Sequence, residues 1–250
     1  GASSLIQRTR GLFLVGMATL VIALVVTFPA RTAFSWVSPP FVSMSGVQGT
    51  IWNGSAREFQ TNGVYLRDLQ WRARPLQLLT GKVLYQVTAS PVSGFFESDI
   101  ALRLGGRVTL RDLTASVPLE MFARASGVGG LRGNASLQFK RLELVNGRPA
   151  AMDGVFEAAG VVVPPLSRAS LGGYRAEFST QDNGIVASIE DTDGVYDLAG
   201  SLRIGNDRSY QFLGKVMAKP ETPTDLRRKL DTLLPADEAG RKELRFDGVY

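Results

Sequence analysis

The feature that most constrains the fold of this chain is an alternation of apolar and polar residues that begins near Phe41 and continues almost to the end. A period of two places every second side chain on the same face of a β-strand. The clearest runs are residues 82–89 (Val83, Tyr85, Val87, Ala89), 99–104 (Ile100, Leu102, Leu104), 135–139 (Ala135, Leu137, Phe139), 174–178 (Tyr174, Ala176, Phe178) and 210–216 (Tyr210, Phe212, Gly214, Val216). The pattern predicts a mainly β domain over residues 41–250.

Turn chemistry supports this prediction. Asn-Gly or Asp-Gly pairs, which accept the positive φ angles of tight hairpin turns, occur at residues 53–54, 62–63, 146–147, 153–154, 183–184, 193–194 and 247–248. Strands joined by such short turns are antiparallel. We therefore expect an antiparallel β structure of ten or more strands, ending in a strand over residues 242–246.

The β region contains one helical pattern. Residues 222–225 (Thr-Pro-Thr-Asp) have the composition of a capped helix start, with a proline at the first position. Leucines at helical spacing follow, up to a stop at Pro235. This predicts one short helix that docks an apolar edge against the sheet and covers a strand edge.

The N-terminal segment differs from everything that follows it. Residues 11–28 contain no charge, and Arg8 and Arg10 precede them. Eighteen residues of helix span roughly 27 Å, close to the ~30 Å of a bilayer core. A buried core helix would show a polar stripe, which this segment lacks. A cleaved signal peptide needs a small residue at position −3 of the cut, but cleavage after Ala30 would place Phe28 there. We therefore predict an uncleaved transmembrane signal anchor over residues 11–29, built on Leu12, Phe13, Leu14, Val15, Leu20, Val21, Ile22, Leu24, Val25, Val26 and Phe28.

Charge predicts the orientation of that anchor. Two arginines on its short N-terminal side place residues 1–10 in the cytoplasm. Residues 30–40, which end in paired prolines, are then a connector. We then expect residues 41–250 to lie outside the inner membrane, in the periplasm if the host is Gram-negative.

Two missing residue types exclude much enzyme chemistry. The chain has no histidine, the commonest general base and metal ligand, and no cysteine, so it has no thiol nucleophile, disulfide or thiolate zinc site. We predict no catalytic, cofactor-binding or metal site. The net charge of +5 comes from scattered basic residues, which favours a solvated or membrane-proximal surface over nucleic-acid binding.

For two short motifs that resemble ligand-binding sites, we prefer a structural interpretation. Residues 127–133 are glycine-rich, but Arg132 stands where a dinucleotide-binding loop needs its third glycine, so a strand connector is favoured. Residues 191–194 (Asp-Thr-Asp-Gly) suggest calcium, but Val195 and Tyr196 supply no further ligands. A turn is therefore the better interpretation.

The most distinctive constellation combines tryptophan and glycine. Residues 49–56 read Gly-Thr-Ile-Trp-Asn-Gly-Ser-Ala, and residues 69–82 follow the pattern L-x-W-x-x-x-P-x-x-L-L-x-G-K. We expect a hairpin with both indoles in the core. The alternative is that one of them anchors a partner.

This block resembles the type II secretion system protein N family (general secretion pathway protein N). The motif positions are Gly49, Trp52, Gly54, Leu69, Trp71, Pro75, Leu79 and Gly81. With the signal anchor, residues 110–118, 130–133 and 196–202 and the final strand, the resemblance covers nearly the whole chain. The later pieces are generic β patterns, so the tryptophan–glycine block carries the specificity.

The resemblance implies a single-pass inner-membrane protein of a Gram-negative bacterium, accessory to the machine that exports folded proteins through a secretin. It also implies a curved antiparallel sheet like that of the AsmA-like proteins, to which the protein N family is distantly similar. The expected function is a non-enzymatic scaffold that contacts the lipid bilayer and other inner-membrane subunits of the platform, with the secretin as a further candidate. The alternative is a periplasmic lipid-binding or lipid-transfer module that holds lipid in an apolar β groove.

Overall fold

The computed structural model describes residues 15–37, 42–61, 64–91, 93–123 and 127–249. The strands in these ranges are β1 (Val42–Ser45), β2 (Gln48–Gly49), β3 (Asn53–Thr61), β4 (Val64–Arg74), β5 (Lys82–Pro91), β6 (Phe95–Arg103), β7 (Arg107–Pro118), β8 (Arg132–Val145), β9 (Arg148–Val162), β10 (Tyr174–Gln181), β11 (Gly184–Asp191), β12 (Tyr196–Gly205), β13 (Ser209–Ala218) and β14 (Lys242–Val249). The helices are an N-terminal helix over residues 15–26, α1 (Ala30–Val37), α2 (Thr224–Leu233) and two 3-10 helices, η1 (Pro75–Thr80) and η2 (Leu119–Phe122).

All the strands belong to one antiparallel sheet. From β3 onward each strand pairs with the next one along the chain, while β1 and β2 both pair with β3. The strand order ends at β1 on one side and at β14 on the other, so the described sheet is open. The predicted mainly β, antiparallel architecture is confirmed.

One face of the sheet carries the apolar residues. Directly paired residues share a face, and one row of such pairs crosses ten strands through Ala89, Phe96, Ala115, Leu137, Phe156, Ala176, Ile189, Gly200, Gly214 and Leu244. We call the face that contains this row the apolar face. The alternating residues Tyr85, Ala135, Phe178 and Phe212 fall on it as predicted.

The apolar face is packed most tightly at its centre. Leu113, Ala135 and Phe139, from β7 and β8, are each at most 4% exposed. The 3-10 helix η2 folds over this cluster and contributes Leu119 to it. The ring of Phe122, also in η2, lies edge-on to the ring of Phe156, with 6.5 Å between the ring centroids. The centre of the sheet is therefore a filled hydrophobic core.

A repeated tetrapeptide places the same irregularity in two strands. Leu-Arg-Asp-Leu occupies residues 66–69 in β4 and 110–113 in β7. Both aspartates have a positive φ, 52° at Asp68 and 49° at Asp112, and in both strands the pairing register shifts at that point. Each irregularity is a β-bulge, in which two residues of one strand face a single residue of its neighbour and the bulged strand bends. Each strand then leads into a 3-10 helix, η1 or η2.

Three of the predicted turn pairs lie inside strands instead. The glycines of pairs 53–54, 153–154 and 247–248 each sit directly opposite an aromatic residue: Gly54 opposite Trp71, Gly154 opposite Phe139 and Gly248 opposite Tyr210. A methyl carbon placed on any of the three would lie 2.5–2.8 Å from that aromatic ring. These glycines make room for a ring on the neighbouring strand. Pair 62–63 lies outside the described residues, while 146–147 forms a hairpin turn as predicted.

The N-terminal segment departs from expectation in three ways. Its helix ends at residue 26, rather than continuing to residue 29. Residues 30–37 of the predicted connector form the amphipathic helix α1, which was not expected there. Among the described ranges, no helix has the length and apolar character that crossing a membrane requires, so a transmembrane helix is not confirmed. Residues 1–14 and 38–41 lie outside the description.

The predicted helix near the C terminus is confirmed as α2, but its start differs. Thr222 does not cap it. Instead, its hydroxyl donates to the carbonyl of Val195 at 2.5 Å and accepts from the N–H of Lys219 at 2.7 Å. Thr222 is therefore buried as a link between the sheet and the segment leading into α2.

Candidate functional site

The tryptophan–glycine motif forms the joint between the N-terminal helix and the sheet. The N–H of Ile51 donates to the carbonyl of Phe28 at 3.1 Å, and Pro29 forms a β-bridge with Thr50. The indole Nε1 of Trp52 donates to the carbonyl of Val25 at 2.8 Å. The last carbonyls of a helix have no partner within the helix, so Trp52 satisfies one of them from the sheet side.

Trp71 holds this joint against the sheet. Its Nε1 donates to the carbonyl of Thr50 at 3.2 Å, and its ring lies over Gly54, where a methyl carbon would be 2.5 Å from Cζ2. Both Trp52 and Trp71 are half-buried. Neither is the fully buried core residue that we expected, and Trp71 borders an apolar cavity.

The remaining motif residues shape the loops around the joint. Gly49 and Gly81 have φ angles of 82° and 74°, which other residues seldom adopt. Gly81 ends η1, which begins at Pro75, and its N–H donates to the carbonyl of Leu78 at 3.1 Å. Leu79 points away from the protein and is 93% exposed. The motif thus encodes backbone geometry as well as packing.

An apolar cavity of about 570 Å³ lies beside the joint, between α1 and the apolar face. Its lining comes from α1, the loop before β3 and strands β1 and β3–β6: Ala30, Phe34, Met44, Val47, Ile51, Phe59, Leu66, Leu69, Trp71, Tyr85, Val87, Phe96, Ile100 and Leu102. Burial raises the pKa of the Tyr85 phenol, which therefore stays neutral at physiological pH. We call this space the N-terminal cavity.

A second apolar cavity of about 500 Å³ lies under α2, and we call it the C-terminal cavity. Leu230 of α2 and Leu198 and Val216 of the sheet line it, together with Tyr174. Burial, reinforced by the nearby charge of Asp191, raises the pKa of Tyr174 to about 12, and its hydroxyl donates to the carbonyl of Leu171 at 2.9 Å. The apolar face is therefore filled at the centre and incompletely filled towards both ends.

An ion pair secures the segment that leads into α2. Lys219 Nζ donates to a carboxylate oxygen of Asp191 at 2.6 Å, and the N–H of Leu198 donates to the other oxygen at 2.8 Å. Burial of Asp191 opposes ionisation, but these hydrogen bonds and the charge of Lys219 outweigh it and lower the pKa of the carboxyl. The first acid of the candidate calcium motif is thus engaged in the fold. No cluster of three or more potential metal-ligating side chains occurs in the part of the chain that the structure describes.

Most predicted anchor residues lie on the N-terminal helix with exposed side chains, whereas Leu12, Phe13 and Leu14 fall outside the described residues. Phe28 lies beyond the helix, where its ring contacts Trp36 at 5.3 Å between centroids.

Sequence reasoning missed α1, which covers the N-terminal cavity, and the two bulges that bend β4 and β7. For the two bulges the sequence does contain a signal, which is the repeat of Leu-Arg-Asp-Leu, followed in each case by a proline within six residues.

Comparisons with known proteins give one consistent result. The model of the family described as "Type II secretion system (T2SS), protein N" matches residues 40–245. Proteins named "Type II secretion system protein N" are similar in sequence. The one from Aeromonas hydrophila is 25% identical over 84% of this chain and 85% of its own length, and the one from Vibrio cholerae serotype O1 is 23% identical over 97% and 99%. A third, from Pectobacterium carotovorum, is 22% identical over 88% and 89%.

No solved structure matches this chain significantly. The family match covers most of the chain and includes the tryptophan–glycine motif of residues 49–82. The chain therefore belongs to the type II secretion system protein N family.

Proposed function

We propose that this protein is a non-enzymatic, single-pass inner-membrane subunit of the type II secretion machinery, and that its sheet acts as a periplasmic scaffold. Membership of the family supports a role in that system. Its partners would be other inner-membrane subunits of the platform, with the secretin as a further candidate. The absence of histidine and cysteine from the sequence supports a role without catalysis.

Exposure of the N-terminal helix supports the membrane anchor. Every residue from 15 to 26 is exposed, including Leu20 at 57%, Ile22 at 63% and Leu24 at 59%. A helix that is apolar around its whole circumference is stable when lipid or protein covers all of it. Arg8 and Arg10 precede the apolar run and favour a cytoplasmic N terminus.

Reporter fusions test this topology. Alkaline phosphatase, which is active only outside the cytoplasm, should be active when fused after Tyr250. The matched control, the same reporter fused after Arg10, should be inactive. An inactive fusion after Tyr250 at normal expression would reverse the proposed orientation.

The observation that carries the scaffold role is the free edge of β14. Within the described chain, the outer side of β14 is paired by a single bridge between Lys242 and Ala236, so its edge is free beyond Lys242, and Phe246 and Val249 on that strand are 57% and 76% exposed. An unpaired strand edge can accept a strand from another protein through backbone hydrogen bonds. This edge is the part of the sheet best suited to join another subunit.

Photocrosslinking in intact cell envelopes tests the scaffold role. A photoreactive residue at Phe246 or Val249 should capture a defined subunit of the secretion platform. The same residue at Arg203, exposed on the interior strand β12, serves as the control and should give less product. If both edge positions capture no secretion component, the proposal is overturned.

The alternative function, lipid handling, is favoured by the N-terminal cavity. Its volume of about 570 Å³ and its apolar lining fall within the range of small-ligand sites. The filled core around Phe139 counts against a lipid groove that runs the length of the sheet. Native mass spectrometry of the full chain, released gently from detergent, separates the two functions. A reproducible phospholipid adduct that is lost in Tyr85→Trp, which narrows the cavity, would favour lipid handling.

A further inference from the structure

Two leucines project from neighbouring loops at the end of the sheet to which the N-terminal helix is attached. Leu79, in η1 between β4 and β5, is 93% exposed, and Leu104, in the turn between β6 and β7, is 95% exposed. Fully exposed large apolar side chains at loop tips contribute nothing to packing. Their place in the fold suggests a surface that is covered in the working protein.

The strand register brings these two loops together. Lys82, at the start of β5, is the direct partner of Arg103, at the end of β6, so η1 and the 104–106 turn are adjacent. Arg72, near the end of β4, pairs with Asn53 at the start of β3, next to the loop in which Trp52 binds the N-terminal helix. We call this region, comprising residues 71–82 and 101–107 with the helix joint, the attached end.

The attached end is strongly basic. Residues 71–82 and 101–107 contain five basic and no acidic residues: Arg72, Arg74, Lys82, Arg103 and Arg107. Only Arg107 of these forms an ion pair within the described ranges, with Glu143 at 2.9 Å. By contrast, residues 190–197, which form the β11–β12 loop and the strand ends beside it at the opposite end of the sheet, contain four acids and no basic residue. These two regions of the sheet therefore carry charge of opposite sign.

We propose that the attached end lies on the surface of an anionic phospholipid bilayer, with Leu79 and Leu104 inserted at the boundary between headgroups and acyl chains. This inference rests on the proposed membrane anchoring of the N-terminal helix. Lys82 and Arg103 lie beside the leucines and contact headgroup phosphates. Basic residues that flank protruding apolar side chains are the composition of surfaces that bind in the membrane interface.

A protein partner fits this surface less well. The centres of protein interfaces are depleted of charged residues and enriched in contiguous aromatic area. At the attached end, basic residues flank the exposed leucines: Arg103 precedes Leu104, and Arg74 and Lys82 border the segment that contains Leu79. The long aliphatic stems of these basic residues can lie along the acyl boundary while their charges reach the headgroups.

Depth-dependent fluorescence quenching in the full chain tests the proposal. The chain has no cysteine, so single cysteines can be labelled cleanly. A polarity-sensitive fluorophore is placed at Leu104→Cys, at Val21→Cys in the N-terminal helix and at Ala239→Cys, exposed near the opposite end. Each labelled protein is reconstituted into vesicles of phosphatidylcholine, with or without phosphatidylglycerol, that carry a lipid-attached quencher.

The expected result is a blue-shifted, lipid-quenched signal at residue 104 that strengthens with phosphatidylglycerol, and an aqueous signal at residue 239. If residue 21 is quenched by lipid but residue 104 is not, the surface proposal fails while the anchor stands. If neither is quenched, the anchoring itself fails. A signal at residue 104 that is shielded from both lipid and aqueous quenchers would indicate a protein contact and also overturns the proposal.

Charge removal gives a second test, which does not depend on the leucines. Lys82→Gln with Arg103→Gln should reduce lipid quenching at residue 104 in anionic vesicles to the level seen in pure phosphatidylcholine. Arg203→Gln with Arg245→Gln removes the same charge from exposed positions on β12 and β14 and should leave the signal unchanged. Equal effects of the two double variants would overturn the role assigned to Lys82 and Arg103.

Discussion

The two Leu-Arg-Asp-Leu segments start alike and end differently. Each forms a β-bulge at an aspartate of positive φ and continues into a 3-10 helix, yet Leu113 of the second is 3% exposed whereas Leu69 of the first lines an open cavity. The helix η2 folds over the apolar face and buries Leu119, while η1 extends away from it and exposes Leu79. Similar local sequences thus produce a similar backbone, but the segment that follows decides whether the apolar face is filled.

The largest difference between the two segments should appear when their equivalent leucines are truncated. Leu113→Ala should lower the free energy of unfolding by about 3 kcal/mol, as in other packed cores. Leu69→Ala should cost about 1 kcal/mol, because its side chain already borders empty space. Urea unfolding of the full chain in detergent, followed by tryptophan fluorescence, measures both. Equal losses would show that the N-terminal cavity is filled in solution.

Truncation of Trp71 measures how firmly the joint is packed. Trp71→Ala should lower the free energy of unfolding by about 2 kcal/mol, less than a fully buried aromatic would cost, because the indole is only half-buried. Trp71→Phe keeps an aromatic ring but loses the hydrogen bond to Thr50 and the outer part of the indole that lies over Gly54, so it should recover about half of that loss. An unchanged melting temperature in Trp71→Ala would instead indicate that Trp71 serves mainly as a contact for a partner.

The sequence predicted the sheet well because alternation reports which face of each strand is buried. The register row through Phe96, Leu137 and Phe156 follows from that rule. The three in-strand glycine pairs were misinterpreted because local turn chemistry contains no information about the aromatic ring opposite, which comes from a different strand. Gly54, for example, is a glycine because of Trp71, seventeen positions away.

The candidate site was predictable only in part. The motif residues of the joint stand out in the sequence, but their roles depend on where the N-terminal helix docks. Trp52 binds the carbonyl of Val25, a contact between residues 27 positions apart. Helix α1 is not predicted because its eight residues lie between Pro29 and the paired prolines at 39–40, and prolines in these positions indicate an irregular connector.

The bulges themselves should respond equally in the two segments. Asp68→Val and Asp112→Val each place a β-branched residue at a positive φ and should cost about 1 kcal/mol. The matched changes Asp68→Asn and Asp112→Asn keep a residue type that tolerates this conformation and should change stability by less than about 0.5 kcal/mol. Thermal melts of the four variants compare the segments directly. A cost at one bulge only would show that the two are not equivalent.

Acid should destabilise the C-terminal part of the sheet before the N-terminal part, and this is the smallest effect that we expect. Every ion pair between described residues lies C-terminal to residue 106, so the region around the N-terminal cavity has none.

The pKa of Asp191 is lowered in the folded protein, so its pair with Lys219 stabilises the fold fully above the ordinary value of 3.8. This contribution disappears as the pH falls through the lower, folded pKa. The protection of α2 and β12 against hydrogen exchange, corrected for the intrinsic exchange rate at each pH, should therefore fall below pH 3.8 before the protection of β4 does. In Asp191→Asn this acid-dependent loss of protection should be weaker, since the carboxyl that titrates is gone, and Lys219→Gln should weaken it in the same way. If acid lowers the protection of β4 as early as that of α2, the ion pair does not account for the difference between the two ends.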